Sequence, residues 1–107
     1  MALIRPIPSS DDVTYKNVGR CYISLASGRD FGYICLYPSI SNPSTLKITN
    51  PGNAYTAYIF DGTRHTVTVE ANTTTEFDLT SYGTVLNIEI RNTDNNYNVG
   101  FTSIIFE

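Results

Sequence analysis

Apolar residues in this chain recur at every second position in short runs, and no window sustains the i, i+3, i+4, i+7 spacing of an amphipathic helix. The alternating runs predict strands over 2–7, 20–26, 31–37, 45–50, 54–60, 64–70, 74–79, 84–91 and 97–106. Between them stand clusters of turn-forming residues: Ser9, Ser10, Asp11 and Asp12; Ser41, Asn42 and Pro43; Asn50, Pro51, Gly52 and Asn53; Tyr82 and Gly83; and the stretch 92–96. Short strands with turn signals at such regular intervals predict an all-β domain spanning 1–107. The expected architecture is an antiparallel two-sheet sandwich of eight or nine short strands, jelly-roll or immunoglobulin-like. A closed barrel is the alternative, because period-two patterning is common to both.

The alternation also sets hairpin registers. A two-residue Gly28-Arg29 loop pairs Cys21 with Leu36, Ile23 with Ile34 and Leu25 with Gly32. Cys21, Ile23, Leu25, Ile34 and Leu36 then share one face, and Tyr22, Ser24, Phe31, Tyr33 and Cys35 the other. A slip by one residue would mix the two sets, so the pattern selects its own register. At Phe60-Asp61-Gly62 a two-residue turn would set Val67 and Val69 against Thr56 and Ala54. A three-residue loop with Gly62 in a left-handed conformation aligns Tyr55, Ala57 and Ile59 with His65 and Val67 instead. Leu86, Ile88 and Ile90 alternate with Asn87, Glu89 and Arg91. Residues 99–106 become apolar on both faces, as expected of a strand that is central in a layered core or covered by something else.

Composition narrows the function. Charged residues are 16% of the 107, against about 25% in ordinary soluble domains. Thr, Asn and Ser take their place with fourteen, ten and nine copies, beside eight Tyr. The net charge is −3, only Lys16 and Lys47 are lysines, and the seven basic residues are scattered along the chain. Nucleic acid and anionic membrane surfaces, which demand a basic patch, are therefore not expected partners. The start lacks the basic and long apolar stretches of a signal peptide, so folding is expected in the cytoplasm. A weakly charged surface of hydroxyls and amides suits work outside a cell. Virion components, which fold inside and act outside, reconcile the two; a cytosolic protein or an excised domain of a secreted chain fits as well.

Candidate chemistry is sparse. His65 is the only histidine, so any Ser-His-Asp arrangement must run through it, and no Gly-x-Ser-x-Gly turn exists. Cys21 and Cys35 fall on opposite faces of the first hairpin, which forbids a disulfide. Two cysteines and one histidine are too few for a structural zinc site. Asp94, Asn96 and Asn98 have the alternate spacing of calcium ligands, but Gly100 falls one place late and Ile105 stands where a bidentate Glu is needed. No catalytic, metal or cofactor site is expected, and the protein is read as a non-enzyme.

The aromatic residues carry more. Both hairpins show aromatics on both faces, and only one face of each can enter a sandwich core. An interaction surface is expected at Tyr22, Phe31, Tyr33, Tyr58 and Phe60, with Asp94, Asn96, Tyr97 and Asn98 of the Asn-rich loop. Edge strands with so few lysines invite cover by neighbours. These features point to a structural protein of a virion (bacteriophage-type capsid, tail or decoration) or similar assembly. It would act through contacts with other protein subunits, in a homo-oligomer or lattice. The alternatives are a carbohydrate-binding module or adhesin using exposed tyrosines, and a small inhibitor or adaptor capping another protein.

Overall fold

A computed structural model describes residues 14–25, 32–91 and 101–107. It holds nine strands: β1 (Thr14–Lys16), β2 (Val18–Leu25), β3 (Gly32–Pro38), β4 (Thr45–Asn50), β5 (Tyr55–Phe60), β6 (Arg64–Val69), β7 (Thr73–Asp78), β8 (Asn87–Arg91) and β9 (Ser103–Phe106). They form two open sheets, ordered β1-β9-β4-β7 and β2-β3-β8-β5-β6. The fold is an all-β sandwich, not a closed barrel. One pair departs from the expected antiparallel rule, since β1 runs parallel to β9. The pairs β5·β6, β4·β7 and β3·β8 are nested about the β5–β6 loop. The chain is thus a long antiparallel hairpin rolled so that successive pairs fall in opposite sheets, which is jelly-roll winding.

Both hairpin registers follow the alternation. Cys21 lies opposite Leu36, Ile23 opposite Ile34 and Leu25 opposite Gly32. In the second hairpin Ile59 lies opposite His65 and Ala57 opposite Val67, with Gly62 at a φ of 101° in a three-residue loop. Such a φ suits glycine because it has no Cβ to clash. The predicted strand 2–7 and the Gly28-Arg29 turn lie outside the described residues. At the predicted 84–91 strand, β8 starts only at Asn87. Leu86, expected on the apolar face with Ile88 and Ile90, precedes the strand and is 53% exposed. Among the described residues β9 begins at Ser103 and lies inside its sheet, between β1 and β4, with Ile104 and Phe106 buried on one face and Ile105 half-buried on the other.

Inward-facing side chains from both sheets make one core, in which Ile34, Leu36, Leu46, Ile48, Ile59, Ile88, Ile90, Ile104 and Phe106 are fully buried. Each stabilises the fold by about 1.5–3 kcal/mol relative to exposure. Two asparagines fix the corners. Asn17, at a φ of 58°, turns the chain from β1 in one sheet to β2 in the other. Its side-chain amide donates to the Phe106 carbonyl at 2.8 Å, and its own carbonyl accepts from Ser39 N–H at 2.8 Å. Asn50, buried at the end of β4, donates to the carbonyls of Asn53 and Glu70 and accepts from Gly52 N–H. It thereby ties the β4–β5 loop to the β6–β7 turn.

Two substitutions test this division of labour. Ile90→Ala should cost about 2–5 kcal/mol by opening a cavity. Asn50→Ala should cost about 1–3 kcal/mol by stranding buried backbone groups. Urea unfolding reads both, and a stability unchanged in Asn50→Ala would show that the loop holds itself without that side chain.

Candidate functional site: the outer face of the five-stranded sheet

The register that sends Ile34, Leu36, Ala57, Ile59, Ile88 and Ile90 inward sends their neighbours outward. Tyr33 then lies opposite Arg91, Cys35 opposite Glu89, Tyr58 opposite Glu89 and Phe60 opposite Asn87. Tyr22 lies opposite Cys35, Arg20 opposite Tyr37, and Arg64 opposite Phe60. The middle strand β8 therefore lays a polar column of Asn87, Glu89 and Arg91 between two aromatic walls, Tyr33 and Tyr37 on β3 and Tyr58 and Phe60 on β5.

Arginine holds the walls. The Arg20 guanidinium sits over the Tyr37 ring at 4.4 Å and Arg64 over Tyr58 at 4.8 Å. Arg91 reaches both walls, 5.4 Å from the Tyr58 centroid and 5.8 Å from that of Tyr33. Tyr58 thus meets a guanidinium from the strand on either side, β6 and β8. Such contacts draw on the negative ring face and need little desolvation of the cation. Tyr22, 54% exposed, touches only the tilted Tyr33 ring among the described aromatic contacts.

Beneath the rings lies a buried carboxylate. Glu89 accepts a hydrogen bond from Arg91 Nε and, at 3.8 Å, from the Cys35 thiol. Burial and then the Glu89 charge push the Cys35 thiol up to about 11, so it stays protonated and can donate. The hydrogen bond to Glu89 raises Arg91 above the ordinary guanidinium range. Both described cysteines are free, and the register keeps them on opposite faces.

Of the expected surface residues, Tyr22, Tyr33, Tyr58 and Phe60 come together on this face; Phe31, Asp94, Asn96, Tyr97 and Asn98 lie outside the described residues. Sequence reasoning missed Tyr37, Arg20, Arg64, Glu89 and Arg91. Tyr37 shares the parity of Tyr33 and could have been found from it. The arginines are scattered in sequence, yet every arginine among the described residues stands on this one face. The other sheet's outer face is different in kind. It carries Thr45, Lys47, Thr49, Thr74, Glu76 and Asp78, with Lys47 opposite Glu76 and the Thr49 and Thr74 hydroxyls 2.8 Å apart.

His65 belongs to a separate cluster at the end of the sandwich. Its Nε2–H donates to Asp61 Oδ1 at 2.8 Å, and its ring packs 4.6 Å from that of Tyr82. Asp61 also accepts from the N–H groups of Thr63 and Gly83, each at 3.1 Å. The cluster ties the β5–β6 loop to the β7–β8 connection. Among the described residues no hydroxyl or thiol is hydrogen-bonded to the imidazole, and no three His, Cys, Asp or Glu side chains converge to hold a metal ion. No described helix is long and apolar enough to cross a membrane.

No family model matches the chain, and no curated protein or solved structure matches it.

The pH dependence of stability follows from two carboxylates. The Gly83 N–H, with the His65 and Thr63 bonds, holds Asp61 below the ordinary carboxylate range; the Thr80 hydroxyl and N–H do the same for Asp78. Unfolding raises both, so in this window the unfolded chain binds more protons and stability rises with pH. The stabilisation is complete above about pH 5 and drains away as pH falls through the lowered folded values. Urea midpoints between pH 6 and pH 2 should fall for the wild type and fall less for Asp61→Asn. An equal decline in both would remove Asp61 from the account.

Proposed function

We propose that this chain is a non-enzymatic assembly protein that docks on another protein subunit through the outer face of the five-stranded sheet. The observation that carries this is the gathering of four tyrosines, a phenylalanine and three arginines on one side of one sheet. Tyr and Arg are the residues that dominate binding energy at protein interfaces. The face sets three guanidinia against Glu89 and, just past the end of β6, Glu70, in a chain of net charge −3, so the fitting partner surface carries carboxylates. A virion, with bacteriophage-type capsid, tail or decoration subunits, is the setting we infer, from the weakly charged Thr/Asn/Tyr composition. Jelly-roll winding serves viral capsid and lectin domains alike, and winding by itself does not choose between them.

The carbohydrate reading is favoured by one residue. Sugar stacking needs an open ring face, and Tyr22 offers one. Tyr33, Tyr37 and Tyr58 already carry their own guanidinia, which disfavours them as platforms for sugars and equally for stacked bases. An inhibitor or adaptor capping a foreign protein would use the same face and differs only in the partner.

A photo-crosslinking benzoylphenylalanine in place of Tyr22 or Tyr58, expressed in the source organism, tests the docking. Adducts to one protein species are expected from either position and not from Thr74 on the opposite sheet. Arg64→Ala and Tyr58→Ala should each weaken binding of that partner by about tenfold or more, as at interface hot spots. Glycan-array binding abolished by Tyr22→Ala, with no protein adduct, would favour the lectin reading instead. Turnover abolished by His65→Ala would overturn the non-enzymatic part.

A further inference from the structure

The two sheets have four edges, and they are not alike. The described part of β1 is three residues, too few to template a partner strand. β2 carries a bulge between Val18 and Arg20, a feature that turns strands away from edge pairing. β7 carries Glu76 and Asp78, so a second copy laid against it would bring carboxylates together with no cation on the strand to meet them. β6 has none of these guards. It is six residues, Arg64–Val69, with no proline or lysine and an unbroken register against β5, and among the described residues no strand lies outside it.

Its sequence is also self-complementary. Arg64 opens the strand and the exposed Glu70 follows its last residue, both on the parity of Thr66 and Thr68. From this we propose that β6 pairs antiparallel with β6 of a second copy about a two-fold axis at Val67. In that register Val67 meets Val67, His65 meets Val69, and Thr66 meets Thr68. Arg64 of each copy meets Glu70 of the other, twice over. Same faces coincide, so inward-leaning side chains stay with inward-leaning ones, as a two-fold axis normal to the sheet requires. A parallel pairing would instead set Arg64 against Arg64.

Arg64 can serve both its own ring and the partner's carboxylate. A guanidinium stacked on Tyr58 keeps its N–H edge free for a carboxylate in the same plane. The product is a continuous ten-stranded sheet whose two Tyr/Arg outer faces lie side by side. The inference adds a second surface to the docking face and does not rest on it. A strand pair of this length falls at the small end of specific interfaces, so the dimer dissociates on dilution.

Light scattering across a wide concentration range reads the dimer, with circular dichroism confirming that each variant folds. The wild type should approach twice the monomer mass at high concentration. Glu70→Arg should raise the dissociation constant by about tenfold or more, because both attractive pairs become repulsive. The swap Arg64→Glu with Glu70→Arg should restore the dimer. Tyr22→Ala, on the docking face, should leave the mass unchanged even where it abolishes partner cross-linking, which separates the two readings. A wild type monomeric at all concentrations, a dimer indifferent to Glu70→Arg, or a swap that fails to restore it would each overturn the inference.

Discussion

The constraint on which the structure depends is the parity of the strand. Successive side chains point to opposite faces, so each residue committed to the core commits its neighbours away from it. In β3, β5 and β8 the inward set is mainly isoleucine and leucine, joined by Tyr55 and Ala57, side chains that the core cannot release without a cavity. The outward set is fixed by the same register: Tyr33, Tyr37, Tyr58, Phe60, Glu89 and Arg91 cannot be moved off the surface without moving Ile34, Leu36, Ile59, Ile88 and Ile90 off the core. Folding energy therefore holds the outer face in place, although little of that energy comes from the face itself.

That argument applies equally to both sheets, and it makes their difference informative. β4 and β7 fill their outward positions with Thr, Lys, Glu and Asp, an ordinary solvated β surface. Strand propensity accounts for a tyrosine on a strand. It gives no reason for the described outward tyrosines to fall on the five-stranded sheet with all of the described arginines. The buried Glu89 sharpens the contrast. A carboxylate under a sheet surface must be paired to offset its lost hydration, and Arg91 with the Cys35 thiol supplies the partners. The pairing in turn holds the Arg91 guanidinium where it can reach both aromatic walls.

The hairpins were legible because local patterns decide them. Cys21 to Leu36 could be paired from alternation alone, and the three-residue loop at Gly62 followed from refusing to put Val67 and Val69 opposite the wrong face. What alternation cannot supply is the order of strands distant in sequence. That β8 slots between β3 and β5 is a tertiary fact, and without it Glu89 and Arg91 read as the polar side of an ordinary strand. Strand β1 escaped for a different reason: three residues, Thr14, Tyr15 and Lys16, are too few for a period to show. Asn50 was visible only as a turn former, and Asn17 stood outside every turn cluster in the pattern. Their structural weight lies in side-chain amides bonded to Phe106 and Glu70, 89 and 20 positions away, distances over which a sequence pattern carries no signal.

The proposal of a protein partner over a sugar rests on where the arginines sit. Sugar platforms work by presenting bare ring faces to axial C–H groups, and a ring already stacked on a guanidinium has one face fewer to give. Tyr58 meets guanidinia from the strands on either side, Arg64 at 4.8 Å and Arg91 at 5.4 Å. What such a ring still presents is its edge and hydroxyl, beside the guanidinium groups of Arg64 and Arg91. That is a surface of donors and aromatic edges, suited to carboxylates and backbone carbonyls of another protein. Jelly-roll winding leaves this sheet with one covered face and one open one; the arginines determine what the open face can receive.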